Sequence, residues 1–176
     1  YGFGILLTTL LLAFTLGSNG TEGRSFLSDM KQAESANLLS AFAGGVVFNL
    51  ANILLVAAIG IAGMSVAFPV GIGIALVLGV VVNYISTPQG NPVLIFGGVA
   101  LITLAIVLNA RAYQKLQTNA EGGVSKKGLI LSVVSGCLMG LFYKYVAGSM
   151  VTNFTVPEAG KLTPYTALVI FAAGVV

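Results

Sequence analysis

Hydrophobic residues in this chain run in long blocks, and short polar stretches separate them. A helix that crosses a bilayer needs about 20 mostly apolar residues, and that length sorts the blocks. Residues 2–17 form an apolar segment ending at Gly17-Ser18-Asn19-Gly20. Residues 37–62 predict a full span, and Met64 to Ser86 predict another with almost nothing between them. Residues 93–112 follow the turn Thr87-Pro88-Gln89-Gly90-Asn91-Pro92. Residues 128–150 follow a polar stretch, and residues 164–176 begin a last span. The pattern predicts an all-α polytopic transmembrane helix bundle of about six spans, the first and last of them partial. The chain starts at Tyr1 in hydrophobic sequence and stops at Val176 inside an apolar run. A helix end in lipid leaves backbone groups unpaired, so the piece is expected to be internal to a longer protein. The first segment lacks the basic start of a signal peptide.

Composition narrows the class. Hydrophobic residues make up 57% of the chain and charged residues 7%, against about 25% charged in soluble domains. Mean hydropathy is +1.00. These values exclude an ordinary soluble enzyme, a nucleic-acid binder and a disordered protein. The net charge of +3 is spread along the chain and makes no phosphate-binding patch. With no His and Cys137 alone, the usual zinc sites, Ser-His-Asp and Cys-His catalysis and an internal disulfide all drop out. No cofactor and no metal are expected. The expected surroundings are a lipid bilayer, with multi-pass insertion in the cell (inner) membrane.

Loop charges suggest an orientation. One side carries the loop 18–36, with Arg24 and Lys31 against Glu22, Asp29 and Glu34. It also carries the uncharged turn 87–92 and the loop 151–163 with Lys161 and Glu158. The other side carries the tight turn near Gly63 and the loop 111–127, where Arg111, Lys115, Lys126 and Lys127 outnumber Glu121. The positive-inside rule places that second side in the cytoplasm. A short interfacial helix is expected near Ser25 to Ala33, with Phe26, Leu27 and Met30 as its apolar residues.

Inside the spans, small residues recur every four positions. Gly63, Ala67, Gly71, Ala75 and Gly79, continued by Asn83, lie on one slowly drifting helix face. Ser132, Gly136, Gly140, Lys144 and Gly148 form a second stripe, and Ala41, Gly45 and Asn49 a shorter one. Such faces let helix backbones approach closely in lipid, so plain helix packing explains them; smooth faces also suit sliding helices. Asn49 and Asn52 are three apart in the middle of one span and share a face. Their amides suit a neutral solute rich in hydroxyls or amides, and equally suit an interhelical hydrogen bond. Asn83 and Asn109 lie nearer span ends. Pro69, in Ala67-Phe68-Pro69-Val70-Gly71, frees a carbonyl one turn earlier and predicts a kink. Lys144 is the one charge well inside a span, flanked by Tyr143 and Tyr145. It fits either a cavity or a side chain that snorkels to the interface. No Asp or Glu falls in a span, so a carboxylate proton relay is not visible in this chain.

The stretch from Gly44 through Tyr84 carries a family likeness. It holds Gly44-Gly45-Val46-Val47-Phe48-Asn49-Leu50-Ala51-Asn52, then Gly63-Met64-Ser65-Val66-Ala67-Phe68-Pro69, and closes on Gly79 with Asn83-Tyr84; Gly140-Leu141-Phe142-Tyr143 adds to it. It resembles the glucose/ribose porter, rhamnose symporter and ureide permease branch of the drug/metabolite transporter superfamily. The resemblance implies a ten-helix fold of two inverted five-helix repeats. Residues 1–112 would then be the end of the first repeat, without its first helix. Residues 113–127 would be a cytoplasmic linker, and 128–176 the truncated start of the second repeat. A basic cytoplasmic loop between helices five and six in the ureide permeases agrees with the loop 111–127. The Walker-like motif of plant ureide permeases is absent from that loop, which favours the bacterial sugar-permease side.

The resemblance implies a secondary-active permease moving a small neutral solute, a sugar or ureide-like metabolite, by alternating access, with protons as one candidate driving ion. Asn49, Asn52 and Phe68 are the candidate solute-binding residues, with Lys144 behind them, near the midplane between the repeats. The partners implied are the solute and the remaining half of the same transporter, or a second subunit. Two other readings compete: a solute-binding membrane subunit of an energy-coupling importer, and a non-transporting structural protein. A membrane enzyme has the least support, because the spans hold no His, Asp or Glu.

Overall fold

A computed structural model describes residues 1–19, 23–117 and 125–176. Glu22, and residues 118–124 of the expected linker with Glu121, lie outside the described residues. The chain is an all-helical bundle of the polytopic kind that the apolar blocks predict. Its helices are α1 (Gly2–Phe14), α2 (Leu16–Asn19), α3 (Phe26–Gln32), α4 (Ser35–Ala62), α5 (Met64–Ser86), α6 (Pro92–Gln117), α7 (Lys126–Ser149) and α8 (Pro164–Val175). The described residues contain no strand beyond an isolated bridge between Met150 and Leu162.

Among the described residues, five stretches are long and apolar enough to cross a membrane: Gly2–Asn19, Ser35–Ala62, Met64–Ser86, Pro92–Asn109 and Lys126–Ser149. The first, expected as a partial span, reaches spanning length because α2 continues α1 past a break at Thr15. There the hydroxyl of Thr15 donates to Leu11 O at 2.6 Å. α4, at 28 residues, is about 42 Å long, more than a hydrocarbon core requires. α6 runs on to Gln117, five residues past the expected end of its span. α5 continues through Pro69 as one helix.

Between α4 and α5 stands Gly63 alone, with φ +81°. An L side chain is strained there, so glycine makes the one-residue reversal possible. The short helix expected near Ser25 to Ala33 is present as α3. It packs Phe26 against Ala13 of α1 and Val169 of α8, with Leu10, Met30 and Tyr165 around them, while Leu27 stays exposed.

The helices form two compact units. The first comprises Tyr1–Asn49 and Lys144–Val176, the second Leu50–Tyr143. The first unit therefore contains α1, α2, α3, α8 and the ends of α4 and α7 adjoining them. The second contains α5, α6 and the remaining parts of α4 and α7.

Within the second unit, glycines set the distance of closest approach. A methyl group on Gly136 of α7 would lie 2.5 Å from Gly71 O of α5. One on Gly140 would lie 2.8 Å from Leu78 Cβ and 3.1 Å from Ala75 O. Gly128 meets Ala62 in the same way at the α4 end, and Gly73 faces Ile106 of α6. Ser135, buried on α7, donates to Ala51 O of α4 at 2.7 Å. In lipid, close backbone contact and such hydrogen bonds replace the hydrophobic drive between helices. In the first unit, Gly45 of α4 and Gly174 of α8 abut one another's helix backbones, with no room for a Cβ on either.

Candidate functional site

The paired asparagines lie one turn apart on the unbroken helix α4, and both are half-buried. The phenol of Tyr1 donates to Asn49 Oδ1 at 2.7 Å. An amide whose oxygen is taken in this way has its N–H donors left to offer. Beside it, the rings of Phe48 and Phe171 meet at 5.4 Å. Phe68, directly before Pro69 on α5, is 48% exposed. Lys144 is exposed on α7, as are its neighbours Tyr143 and Tyr145. Asn49 and Lys144 belong to the first unit, Asn52 and Phe68 to the second.

The glycine stripes differ along their length. Ala67 and Gly71 of α5 are buried, and Ala75 and Gly79 half-buried, with Gly71, Ala75 and Gly79 all approached by Gly136 or Gly140. On α7, Ser132, Gly136 and Gly140 are buried; farther along, Lys144 is exposed and Gly148 has nothing within 4 Å of a would-be Cβ. Asn83 is half-buried and Asn109 exposed.

The most elaborate polar arrangement lies outside the residues that the sequence singled out. Asp29, on α3, is fully buried. Its Oδ1 accepts from Arg24 Nε at 2.9 Å and from Gln32 Nε2 at 3.1 Å. Its Oδ2 accepts from the backbone N–H of Thr163 at 2.7 Å and from the Thr163 hydroxyl at 3.0 Å. The Arg24 fork also donates to the carbonyls of Glu158 and Lys161, at 2.7 and 2.9 Å. Gln32 donates to Lys161 O and accepts from Gly160 N–H. Asn37 Nδ2 donates to Gly160 O at 2.8 Å, and Glu34 N–H donates to the same oxygen.

Gly160, at φ +80°, packs so tightly on Glu34 that a Cβ would lie 2.8 Å from its Cγ. Lys161 Nζ donates to Gly148 O at the end of α7. Thr163 is also the N-cap residue of α8. The Asp29 carboxylate thus stands at a helix N-terminus, where the macrodipole favours negative charge. In the sequence these residues read only as loop charges. The buried position of Asp29 depends on segments 134 residues apart, which no local pattern displays.

Among the described residues, no group of three or more His, Cys, Asp or Glu stands together as a metal site. Cys137 is a free, half-buried thiol.

Length, apolarity and helical packing make this a multi-pass membrane protein. Comparison with known proteins narrows that class. The family model for ureide permeases matches residues 1–134, and the chain belongs to the ureide permease family. It is 28% identical over 130 residues to Ureide permease 2 of Arabidopsis thaliana, covering 72% of this chain and 32% of that protein. It is 30% identical over 112 residues to Probable ureide permease A3 of Vigna unguiculata, covering 61% of this chain and 30% of that protein. The chain thus spans about a third of the length of these curated relatives. No solved structure matches it. The relatives are named permeases rather than enzymes. The match supports the ureide permeases and gives no support to the sugar-permease side that the missing loop motif suggested. The matched region runs through the helices, so one loop's motif is a poor guide to kinship.

Proposed function

We propose that this chain is part of a secondary-active permease of the cell membrane that moves a small neutral, amide-rich solute of the ureide kind by alternating access. The family match over residues 1–134 carries this reading. Ureides are uncharged and dense in carbonyls and N–H groups, so they call for side chains that both donate and accept. An asparagine amide does both. Asn49 and Asn52, a turn apart on α4, are the proposed solute contacts, with Phe68 as an apolar face and Lys144 as a secondary candidate. The rest of the transporter, built as two inverted five-helix repeats with residues 113–127 as the cytoplasmic linker, completes the machinery. A proton gradient is the proposed driving force; its carboxylate, if it uses one, lies outside the described spans.

A sugar is the second solute class, because hydroxyls satisfy the same amides. The test is uptake by the full-length protein in vesicles, scanning radiolabelled ureides and sugars with and without a proton gradient. Asn49→Ala and Asn52→Ala are run beside it at matched expression. Saturable ureide uptake is expected, with KM raised about tenfold by either substitution, the loss of one good hydrogen bond. Uptake unaffected by both substitutions returns the amides to helix packing. The absence of uptake for every solute removes the permease reading.

A further inference from the structure

Asn49 is held by a residue that no sequence motif marks out. The carbonyl of Tyr1 accepts from Ile5 N–H at 3.0 Å in the first turn of α1, which fixes the Tyr1 backbone. The next residue, Gly2, lies against the end of α8, where a Cβ would stand 3.3 Å from Val175 O. From this anchored position the phenol reaches α4 and donates to Asn49 Oδ1 at 2.7 Å. The Tyr1 side chain otherwise stays open, at 71% exposed.

The part of α4 that receives the phenol is shaped by its neighbours. Phe48 and Asn49 stand three and four residues after Gly45, so all three share a face. At Gly45 the backbone of α8 comes so near that a Cβ would stand 3.0 Å from the backbone of Gly174. The same crossing sets Phe171 of α8 beside Phe48, with ring centroids 5.4 Å apart. Asn49 thus has a phenol on its oxygen and an aromatic pair at the adjoining position, all within the first unit.

The hydrogen bond decides which end of the amide is offered. An amide oxygen can accept twice, and the nitrogen can donate twice. A phenol donates better than it accepts, because its oxygen shares a lone pair with the ring, so it selects the oxygen end of Asn49. One of the two acceptor positions is then taken, and both N–H donors remain. A sugar hydroxyl adapts to either end of an amide, since it donates and accepts. A urea carbonyl only accepts, and it needs the donor end.

We propose that Tyr1 is a positioning residue for solute recognition: its phenol orients Asn49 as a donor, and Asn49 selects solutes by a urea-type carbonyl. The proposal rests on the permease reading above and names the solute group that Asn49 reads.

Competition for uptake by the full-length protein in vesicles tests it. The tracer is the radiolabelled ureide that the parent takes up fastest. The competitors are hydantoin, a cyclic ureide, and thiohydantoin, which carries sulfur in place of the urea oxygen, both at a pH that keeps them neutral. The sulfur is the weaker acceptor, and the N–H groups beside it are the more acidic donors. The parent is expected to prefer hydantoin by about fivefold or more in inhibition constant, most of one good hydrogen bond. Tyr1→Phe keeps the ring and removes the hydroxyl, which lets the amide turn its oxygen toward a thiohydantoin N–H. The preference is then expected to fall to about twofold or less, and Asn49→Ala is expected to lower it as far. Tyr1→Leu repeats the measurement in case Tyr1→Phe fails to reach the membrane; with the side chain so exposed, neither variant leaves a cavity. A preference that survives in the Tyr1 variants makes the phenol a plain helix tether and overturns the proposal. So does a preference that survives in Asn49→Ala, or a parent that hydantoin does not inhibit or that treats the two compounds alike. In each of these cases ureide uptake remains, and the permease reading stands. Uptake of sugars alone overturns the proposal and leaves a permease. No uptake of any ureide or sugar overturns the permease reading, and the proposal falls with it.

Discussion

Asp29 shows how much one side chain can bind together. Its carboxylate has no contact with water and engages Arg24, Gln32 and both the backbone and hydroxyl of Thr163. Removing one partner of a buried ion pair leaves the other charge uncompensated, at about 3–5 kcal/mol. Asp29→Ala is therefore expected to lower the melting temperature of the detergent-solubilised protein markedly. A melting curve that overlays the parent's would show that the pair contributes nothing. Arg24→Lys is expected to recover only part of the loss. Arginine here splits its donors between a carboxylate and two carbonyls, and a lysine ammonium on its flexible stem does not reproduce that fork.

Helices meet here through the absence of side chains. Gly136 and Gly140 of α7 lie against α5, where a Cβ would stand 2.5 Å from Gly71 O and 2.8 Å from Leu78 Cβ, with Ala75 O and Gly79 N at 3.1 and 3.3 Å. Gly136→Val should force α5 and α7 apart, by about 1–3 kcal/mol of overpacking or more. Gly60→Ala, where nothing lies within 4 Å, should be neutral or stabilising by up to about 1 kcal/mol of helix propensity. Expression yield and thermal stability of the two variants check the contrast; equal behaviour would mean that the glycine faces do not set the packing. At Gly63 the constraint is conformational. With φ at +81°, Gly63→Ala is expected to cost about 1–3 kcal/mol and to loosen the reversal between α4 and α5, read as a faster rate of proteolysis there.

At the scale of the molecule, charge decides orientation. Arg111, Lys126 and Lys127 are exposed on α6 and α7, whereas the Arg24 side chain is engaged in the Asp29 cluster and that of Lys161 at Gly148 O. With Cys137 replaced by Ala, an impermeant maleimide applied to intact cells should label Thr155→Cys and spare Ser125→Cys. The reverse pattern would invert the assigned topology. Residues 24–37 and 158–166 touch one another, so the two loops share a side whichever way the protein is inserted.

Much of this was legible in the chain itself. Runs of apolar residues of spanning length specify helices because backbone polar groups in lipid must pair within their own segment. That requirement acts locally, so the expected spans and the short helix α3 follow from composition and period alone. The glycine stripes were visible too, because a four-residue repeat is a local property of a helix surface. Their partners were not: Gly174, which meets Gly45, stands in no stripe that the sequence marks out. The burial of Asp29 was equally hidden. A loop carboxylate is ordinarily solvated, and it becomes a buried hub only when Thr163, 134 positions away, brings a helix N-terminus to it and the neighbouring Arg24 and Gln32 reach the carbonyls of the same distant segment. The sequence by itself determined which segments enter the bilayer, since each must satisfy its own backbone. Only the tertiary structure decided which helices cross and which charge is buried, since those depend on surfaces that exist after distant segments have packed together.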